Sequence, residues 1–291
     1  MTILEALKNA GAKLDDAGVL DSRLDAEYLL AHVLCMTRMQ LLLGSAKELS
    51  PADQAAFEGL LERRRQREPL QYILGVQSFM GFDFFVNESV LIPRPETELL
   101  CEHALAWLKT RNLPAPKVLD LCTGSGALAV AIARLAPTAA VSAADISPAA
   151  LLVARKNAKE NNANVAFFEG DFLHAVVGNS YDLIVCNPPY IPTDICQTLQ
   201  PEVLREPGNA LEGGEDGLIF YRRLAKDAPF FLCPGGALFC EVGYDQAADV
   251  QSLLAPHFEA VTVHEDLSHI SRIVAALSPK SLSGGNHVRQ V

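Results

Sequence analysis

Lys117-Val118-Leu119-Asp120-Leu121-Cys122-Thr123-Gly124-Ser125-Gly126 is the stretch whose reading decides the fold. Its first half carries the apolar character of a buried strand, and its second half is a glycine-rich turn. The apolar run 127–135 opens a helix directly after it. Glycines in such a turn let the backbone come close to a ligand at a helix start. Working outward, the strand–helix pattern repeats. Residues 140–144 predict a second strand ending at Asp145, and Ser147-Pro148 predicts the cap of a helix reaching about Asn161. Residues 165–168 predict a third strand, followed by Gly170-Asp171-Phe172, and 181–186 a fourth. Beyond an acidic glycine loop at 213–217 and a helix through Arg223, three further strands are predicted at 237–242, 260–264 and 272–277. Alternating strands and helices imply an α/β domain with a mainly parallel sheet covered on both faces.

The fourth strand empties into Asn187-Pro188-Pro189-Tyr190. Each proline fixes its own φ, lacks an N–H and keeps the preceding residue extended. Asn187 and Pro188 are therefore expected to be extended, with carbonyls outside local helix or turn bonding. An amide side chain, a carbonyl and an aromatic ring on one stiff loop match a flat –NH2 group. Two oxygens accept its two hydrogens while the ring packs on its plane. The competing reading is an ordinary proline turn with a capping Asn.

Composition narrows the possibilities. The chain has 291 residues, 49% of them hydrophobic, enough for two domains. No apolar run approaches a membrane span, and residues 1–13 are too polar for a signal peptide. The net charge of -11 disfavours a nucleic-acid surface. The seven cysteines are scattered without a C-x-x-C pair, which fits reduced thiols in a cytoplasmic protein better than disulfides or a zinc site. His264-Glu265-x-x-x-His269 misses the spacing of a zinc-protease helix by one residue and is read as a loop.

Residues 1–75 read as a small all-helical domain suited to recognition, with Ile3, Leu4, Leu7 and then Leu24, Tyr28, Leu29, Val33 at helical spacing. Ser50-Pro51 with Asp53 marks one helix start, and Arg63-Arg64-Arg65 with Arg67 is read as the solvated end of that helix. Residues 76–92 are read as a linking hairpin, with its polar turn at Asn87-Glu88-Ser89. Ile92-Pro93-Arg94-Pro95-Glu96-Thr97-Glu98 opens the main domain, 93–279, with a helix from about Thr97 to Lys109. The Ser/Gly-rich residues 280–291 are expected to form a flexible tail.

Gly124-x-Gly126-x-x-Ala129 with Asp145 further on fits a dinucleotide fingerprint, but a ribose-binding acid serves NAD and S-adenosylmethionine equally. Asp145 could also be a simple helix cap. The fourth strand favours S-adenosylmethionine: no His or Tyr–Lys hydride pair is suitably placed, whereas methyl transfer needs only an aligned nucleophile. Together, Asp120, the glycine loop, Asp145 and Asn187–Tyr190 resemble the class I S-adenosylmethionine-dependent methyltransferases, a Rossmann-like fold whose last two strands supply an antiparallel edge.

Asn-Pro-Pro-Tyr occurs in that class in adenine-N6 and in glutamine-amide enzymes. The segment 92–98, the Phe-rich stretch before it and Glu212-Gly213-Gly214-Glu215-Asp216-Gly217 resemble the HemK-type release-factor glutamine methyltransferases over nearly the whole chain. The resemblance implies N5 methylation of the glutamine in the Gly-Gly-Gln loop of peptide-chain release factors by a cytoplasmic, monomeric enzyme, without nucleic acid, membrane or metal. It also implies that Cys122, Thr123, Gly124, Ser125, Gly126, Asp145, Phe172 and Asn187 bind the cofactor, with Phe172 against the adenine. Asn187, Pro188, Pro189 and Tyr190 would hold the substrate glutamine. Cys122 departs from the glycine common at that position and also occurs in a sister group acting on a ribosomal-protein glutamine. The intact Pro-Arg-Pro-Glu-Thr-Glu segment argues for the release-factor group.

Overall fold

The computed structural model describes residues 1–111 and 113–280, so the tail expected from 280 lies, apart from Lys280, outside the described residues. The chain forms two compact units: residues 1–76 with 86–88 and 199–206, and residues 77–85, 89–198 and 207 onward.

The first unit contains α1 (Ile3–Asp16), α2 (Ser22–Val33), α3 (Arg38–Leu43), α4 (Pro51–Arg65) and α5 (Leu70–Leu74). Thr2 and Glu5 form a reciprocal capping box at the start of α1, and the Ser50 hydroxyl accepts the Asp53 N–H at the start of α4. Ile3, Leu7, Ala10 and Leu14 of α1 pack with Leu29, Leu30, Phe57 and Leu61 in one apolar core. The arginine cluster corrects the sequence reading. Arg64 is buried and pairs with Asp25 at 2.7 Å and Glu202 at 2.8 Å, and Arg67 binds the other oxygen of Glu202 at 2.6 Å. Arg63 and Arg65 pair with Glu68 and Glu62. A run of like charges at a helix end could not reveal carboxylates supplied from 39 and 138 residues away.

Next comes the hairpin β1 (Val76–Phe79) and β2 (Phe82–Phe85), which lies in the second unit from Gln77 on. Its turn is Met80-Gly81, not Asn87–Ser89. Both turn residues have positive φ, 50° and 79°, the geometry of a two-residue hairpin turn. Residues 87–94 form no strand. Then come α6 (Pro95–Arg111), β3 (Lys117–Leu121), α7 (Ala127–Leu135), β4 (Ala140–Asp145), α8 (Pro148–Glu160), β5 (Val165–Glu169) and β6 (Tyr181–Cys186). The four-residue α9 (Thr193–Cys196), α10 (Ile219–Phe231), β7 (Leu232–Glu241), α11 (Ala247–Leu254), β8 (Phe258–Glu265) and β9 (Ser271–Pro279) complete it. His264 and Glu265 belong to strand β8 rather than a loop. Among the described residues no group of His, Cys, Asp and Glu could hold a metal, and no helix is long and apolar enough to cross a membrane.

The seven strands lie in the order β5-β4-β3-β6-β7-β9-β8. Neighbours are parallel up to β7, and β9 runs antiparallel to both β7 and β8. The antiparallel edge therefore comes from the last strand inserting between its two predecessors. On one face Leu119, Leu121, Ile184 and Leu238 pack under Tyr221 and Leu224 of α10. On the other, Val118, Leu183, Val185 and Phe239 pack under Leu100 and Ala104 of α6 and Val130 of α7. Each such buried Leu or Val stabilises the sheet by about 1.5–3 kcal/mol. The chain turns back on itself in strand order between β3 and β6. That switch point opens a crevice at the carboxyl ends of the strands, where open α/β sheets bind ligands.

Candidate functional site

The crevice is a cleft of about 350 Å³, lined among others by Cys122, Gly124, Asp145, Phe172, Asn187 and Pro189. The turn after β3 alternates in handedness: Cys122, Gly124 and Gly126 have φ of 62°, 54° and 80°. For Cys122 this left-handed conformation carries a cost of about 1–2 kcal/mol that glycine would avoid. A Cβ at Gly124 would meet nothing within 4 Å, so the missing side chain leaves open space beside the cleft. Gly126 instead permits helix packing, since a Cβ there would lie 3.0 Å from the Ala154 side chain. Thr123, Ser125 and Gly126 do not line the cleft. The Thr123 hydroxyl donates to Asp120 at 2.5 Å, and the Ser125 carbonyl accepts from Asn157 at 2.9 Å.

Two acids organise this turn from beneath. Asp120 is fully buried, and its Oδ2 also accepts the Ala129 N–H at 3.1 Å. Oδ1 is buried without a partner among the described residues, and burial pushes the carboxyl up to about 7. Asp145 accepts the Gly124 N–H at 2.8 Å and the Ser147 N–H at 2.9 Å. The cap of α8 is Ser147, whose hydroxyl accepts the Ala150 N–H, so Asp145 is free of that task. Burial raises the Asp145 carboxyl above the usual range. Phe172 lies on the cleft wall with φ 57°, its ring 5.6 Å from Phe220 and covered by the Arg223 guanidinium at 4.6 Å. Arg223 is held there by Asp171 at 2.9 Å.

The loop after β6 is held by neighbours that sequence spacing does not reveal. Asn187 Nδ2 donates to the Thr97 hydroxyl at 3.0 Å, and that hydroxyl donates to Glu241 Oε2 at 2.7 Å. The Tyr190 hydroxyl donates to Glu241 Oε1 at 3.3 Å. Glu241, at the end of β7, is buried and pushed up to about 7, chiefly by burial; the same burial raises the Tyr190 hydroxyl. Among the described residues no donor reaches Asn187 Oδ1 or the Pro188 carbonyl. The Tyr190 carbonyl accepts from Gln246 at 2.9 Å. Ile191 bridges Glu212, and Gly213 packs so closely that a Cβ there would lie 2.7 Å from Tyr190 Cα. The acidic glycine loop is thus the clamp of the Asn-Pro-Pro-Tyr loop.

Asn187 and Pro189 share the cleft with the glycine turn, whereas Pro188 and Tyr190 are not among its lining residues. Thr97, Phe220, Arg223 and Glu241 join the site only through the fold. A signal for Glu241 existed: it is a lone carboxylate closing the apolar run Ala237-Leu238-Phe239-Cys240 at a strand's carboxyl end. Charges are rarely buried there without a partner.

Comparison with known proteins agrees with this architecture. Residues 5–75 match the PrmC N-terminal domain and residues 97–220 the Methyltransferase small domain. Among solved structures, a methyltransferase from Pyrococcus furiosus superposes with a TM-score of 0.54 at 20% identity, covering 74% of this chain and 98% of that one. A 16S rRNA N2 methyltransferase from T. thermophilus gives 0.52 at 22%, covering 70% and 49%. These likenesses establish the class I methyltransferase fold. The release factor glutamine methyltransferase of Geobacter sulfurreducens is 45% identical, covering 87% of this chain and 88% of its own. That of Chlorobaculum tepidum is 41% identical over 95% and 97%, and that of Bordetella pertussis 44% over 94% and 98%. At such identity over nearly full length, with both domains matched, the chain belongs to the release factor glutamine methyltransferase family.

Proposed function

We propose that this methyltransferase transfers a methyl group from S-adenosylmethionine to the side-chain amide nitrogen of the glutamine in the Gly-Gly-Gln loop of peptide-chain release factors. One observation carries the reading: Asn187 is tied back through its N–H to Thr97, leaving Oδ1, like the Pro188 carbonyl, as an acceptor without a donor among the described residues. Two acceptors on a proline-stiffened loop fit the two hydrogens of a primary amide.

The residues of the cleft fit the methyl donor. Gly124 leaves room for it, Asp145 offers a carboxylate at the end of β4 for ribose hydroxyls, and Phe172 lines the cleft where the adenine is proposed to lie. S-adenosylmethionine supplies an electrophilic methyl on a good leaving group. An amide nitrogen is a weak nucleophile because its lone pair is delocalised, so the protein's part is alignment and removal of water. Asn187 and Pro188 orient the NH2, and Tyr190 buttresses them. Residues 1–75 serve to recognise the protein substrate. The unpaired thiols fit a reducing cytoplasmic compartment, and the enzyme acts as a monomer.

The test is mass spectrometry of a release factor incubated with the chain and labelled S-adenosylmethionine. The label is expected on the Gly-Gly-Gln glutamine and absent when that glutamine is replaced. Absence of label from the release factor, or label surviving loss of the glutamine, would refute the reading.

A further inference from the structure

The hydrogen bonds behind Asn187 have a direction, and Glu241 sets it. A threonine hydroxyl carries one hydrogen. At Thr97 that hydrogen goes to Glu241 Oε2 at 2.7 Å, so toward Asn187 the hydroxyl can only accept. Asn187 must then point its NH2 at Thr97, as it does at 3.0 Å, and its Oδ1 the other way. The second carboxylate oxygen of Glu241 accepts the Tyr190 hydroxyl at 3.3 Å. Two donors converge on Glu241 from different elements, Thr97 in the first turn of α6 and Tyr190 in the loop after β6. Ionised, a carboxylate is the side chain of that shape with two acceptor oxygens and no donor.

We propose that Glu241 is a positioning residue for methyl transfer: through Thr97 it fixes the Asn187 amide with its oxygen toward the substrate amide, and directly it locks Tyr190. The inference rests on the role assigned to Asn187 above. Without the Thr97–Glu241 bond the hydroxyl could donate to Asn187 Oδ1. The Asn187 amide would then turn its NH2 toward the substrate, where donor meets donor. Glu241 is 1% exposed and takes no part in the bond that forms or breaks. Burying a carboxylate is costly, and the apolar surroundings of Cys240 and Val242 give no reason for one beyond this pair of contacts. Glu96 and Arg272 add opposing charge effects of lesser weight.

Single-turnover methylation of a release factor by the intact chain tests this, with cofactor affinity by calorimetry as the check on folding. Thr97→Val removes the hydroxyl and keeps the shape, Thr97→Ser keeps the hydroxyl, and Glu241→Gln replaces one acceptor by a donor. Thr97→Val and Glu241→Gln are each expected to slow turnover by about 10- to 100-fold, the scale of one misdirected buried hydrogen bond. Thr97→Ser should stay within about threefold of the parent, with cofactor affinity steady in all three. Because the two residues act through one chain of bonds, Thr97→Val combined with Glu241→Gln should fall short of the product of the single losses. Full turnover in Thr97→Val, equal slowing by Thr97→Ser, or multiplicative losses in the double variant would overturn the inference. Asn187→Ala, run alongside, separates the two claims. If it abolishes turnover while Thr97→Val and Glu241→Gln keep parental turnover, only this inference fails. If it leaves turnover intact, the site assignment itself fails.

Discussion

Replacing Asn187 with aspartate keeps the shape of the side chain and removes its N–H donors. In the structure the donor is spent on the Thr97 hydroxyl at 3.0 Å, whose own hydrogen goes to Glu241. The substitution puts an oxygen opposite an oxygen. Either Thr97 turns its hydrogen to the new carboxylate and strands buried Glu241, or the new carboxylate is left facing a lone pair. The lost bond costs about 0.5–1.5 kcal/mol, and the stranded acceptor a further ~1–3 kcal/mol. A total near 2.7 kcal/mol corresponds to roughly 100-fold in rate. The added negative charge acts in the same direction on turnover, because it stabilises a sulfonium whose charge disappears on transfer. Cofactor affinity should therefore hold or tighten while single-turnover methylation of the release factor falls by about two orders of magnitude. The acceptor oxygens toward the substrate survive in this variant. Turnover within about threefold of the parent would mean that the N–H bond to Thr97 is irrelevant, and would refute the reasoning.

Three other perturbations bear on different parts of the site. Asp145→Ala removes the carboxylate that holds the Gly124 N–H and is proposed to hold the ribose; cofactor affinity should fall by about 1.5–3 kcal/mol in calorimetry, and an unchanged affinity in the folded protein would leave Asp145 a brace of the turn. Gly217→Ala places a methyl against the Tyr190 carbonyl and the Gln246 amide at a φ of 73°, so unfolding free energy should drop by about 1–3 kcal/mol and methylation with it, and a variant of parental activity would show that the clamp yields freely. Asp120, buried and raised to about 7, keeps a proton in the folded chain that the unfolded chain releases near pH 4. Its contribution is therefore complete below about pH 4 and lost as pH rises through 7, up to ~4 kcal/mol. In urea unfolding across this range Asp120→Asn should show a flatter profile than the parent, and parallel profiles would contradict the buried-acid reading.

Much of this protein is written locally. The glycine turn 122–126 follows from a strand that must end where a helix begins, and the strand–helix alternation from 117 to 186 implies a parallel sheet before any contact is known. Ser50 and Ser147 announce helix starts because capping is a matter of three or four residues. Asn187-Pro188-Pro189-Tyr190 announces a stiff acceptor loop because proline acts on its own neighbours. What depends on distant partners was not legible. The hairpin turn fell at Met80-Gly81 because a methionine accepts a left-handed φ there, against its own preference. The insertion of β9 between β7 and β8 is a choice of sheet neighbours, which strand patterns do not encode. The arginines after Glu62 look solvated until Asp25 and Glu202 arrive from elsewhere to neutralise them. The direction of the Asn187 amide is decided by a carboxylate 54 positions on and a hydroxyl 90 positions back, and a hydrogen bond has a direction only once the fold has brought its donor and acceptor together.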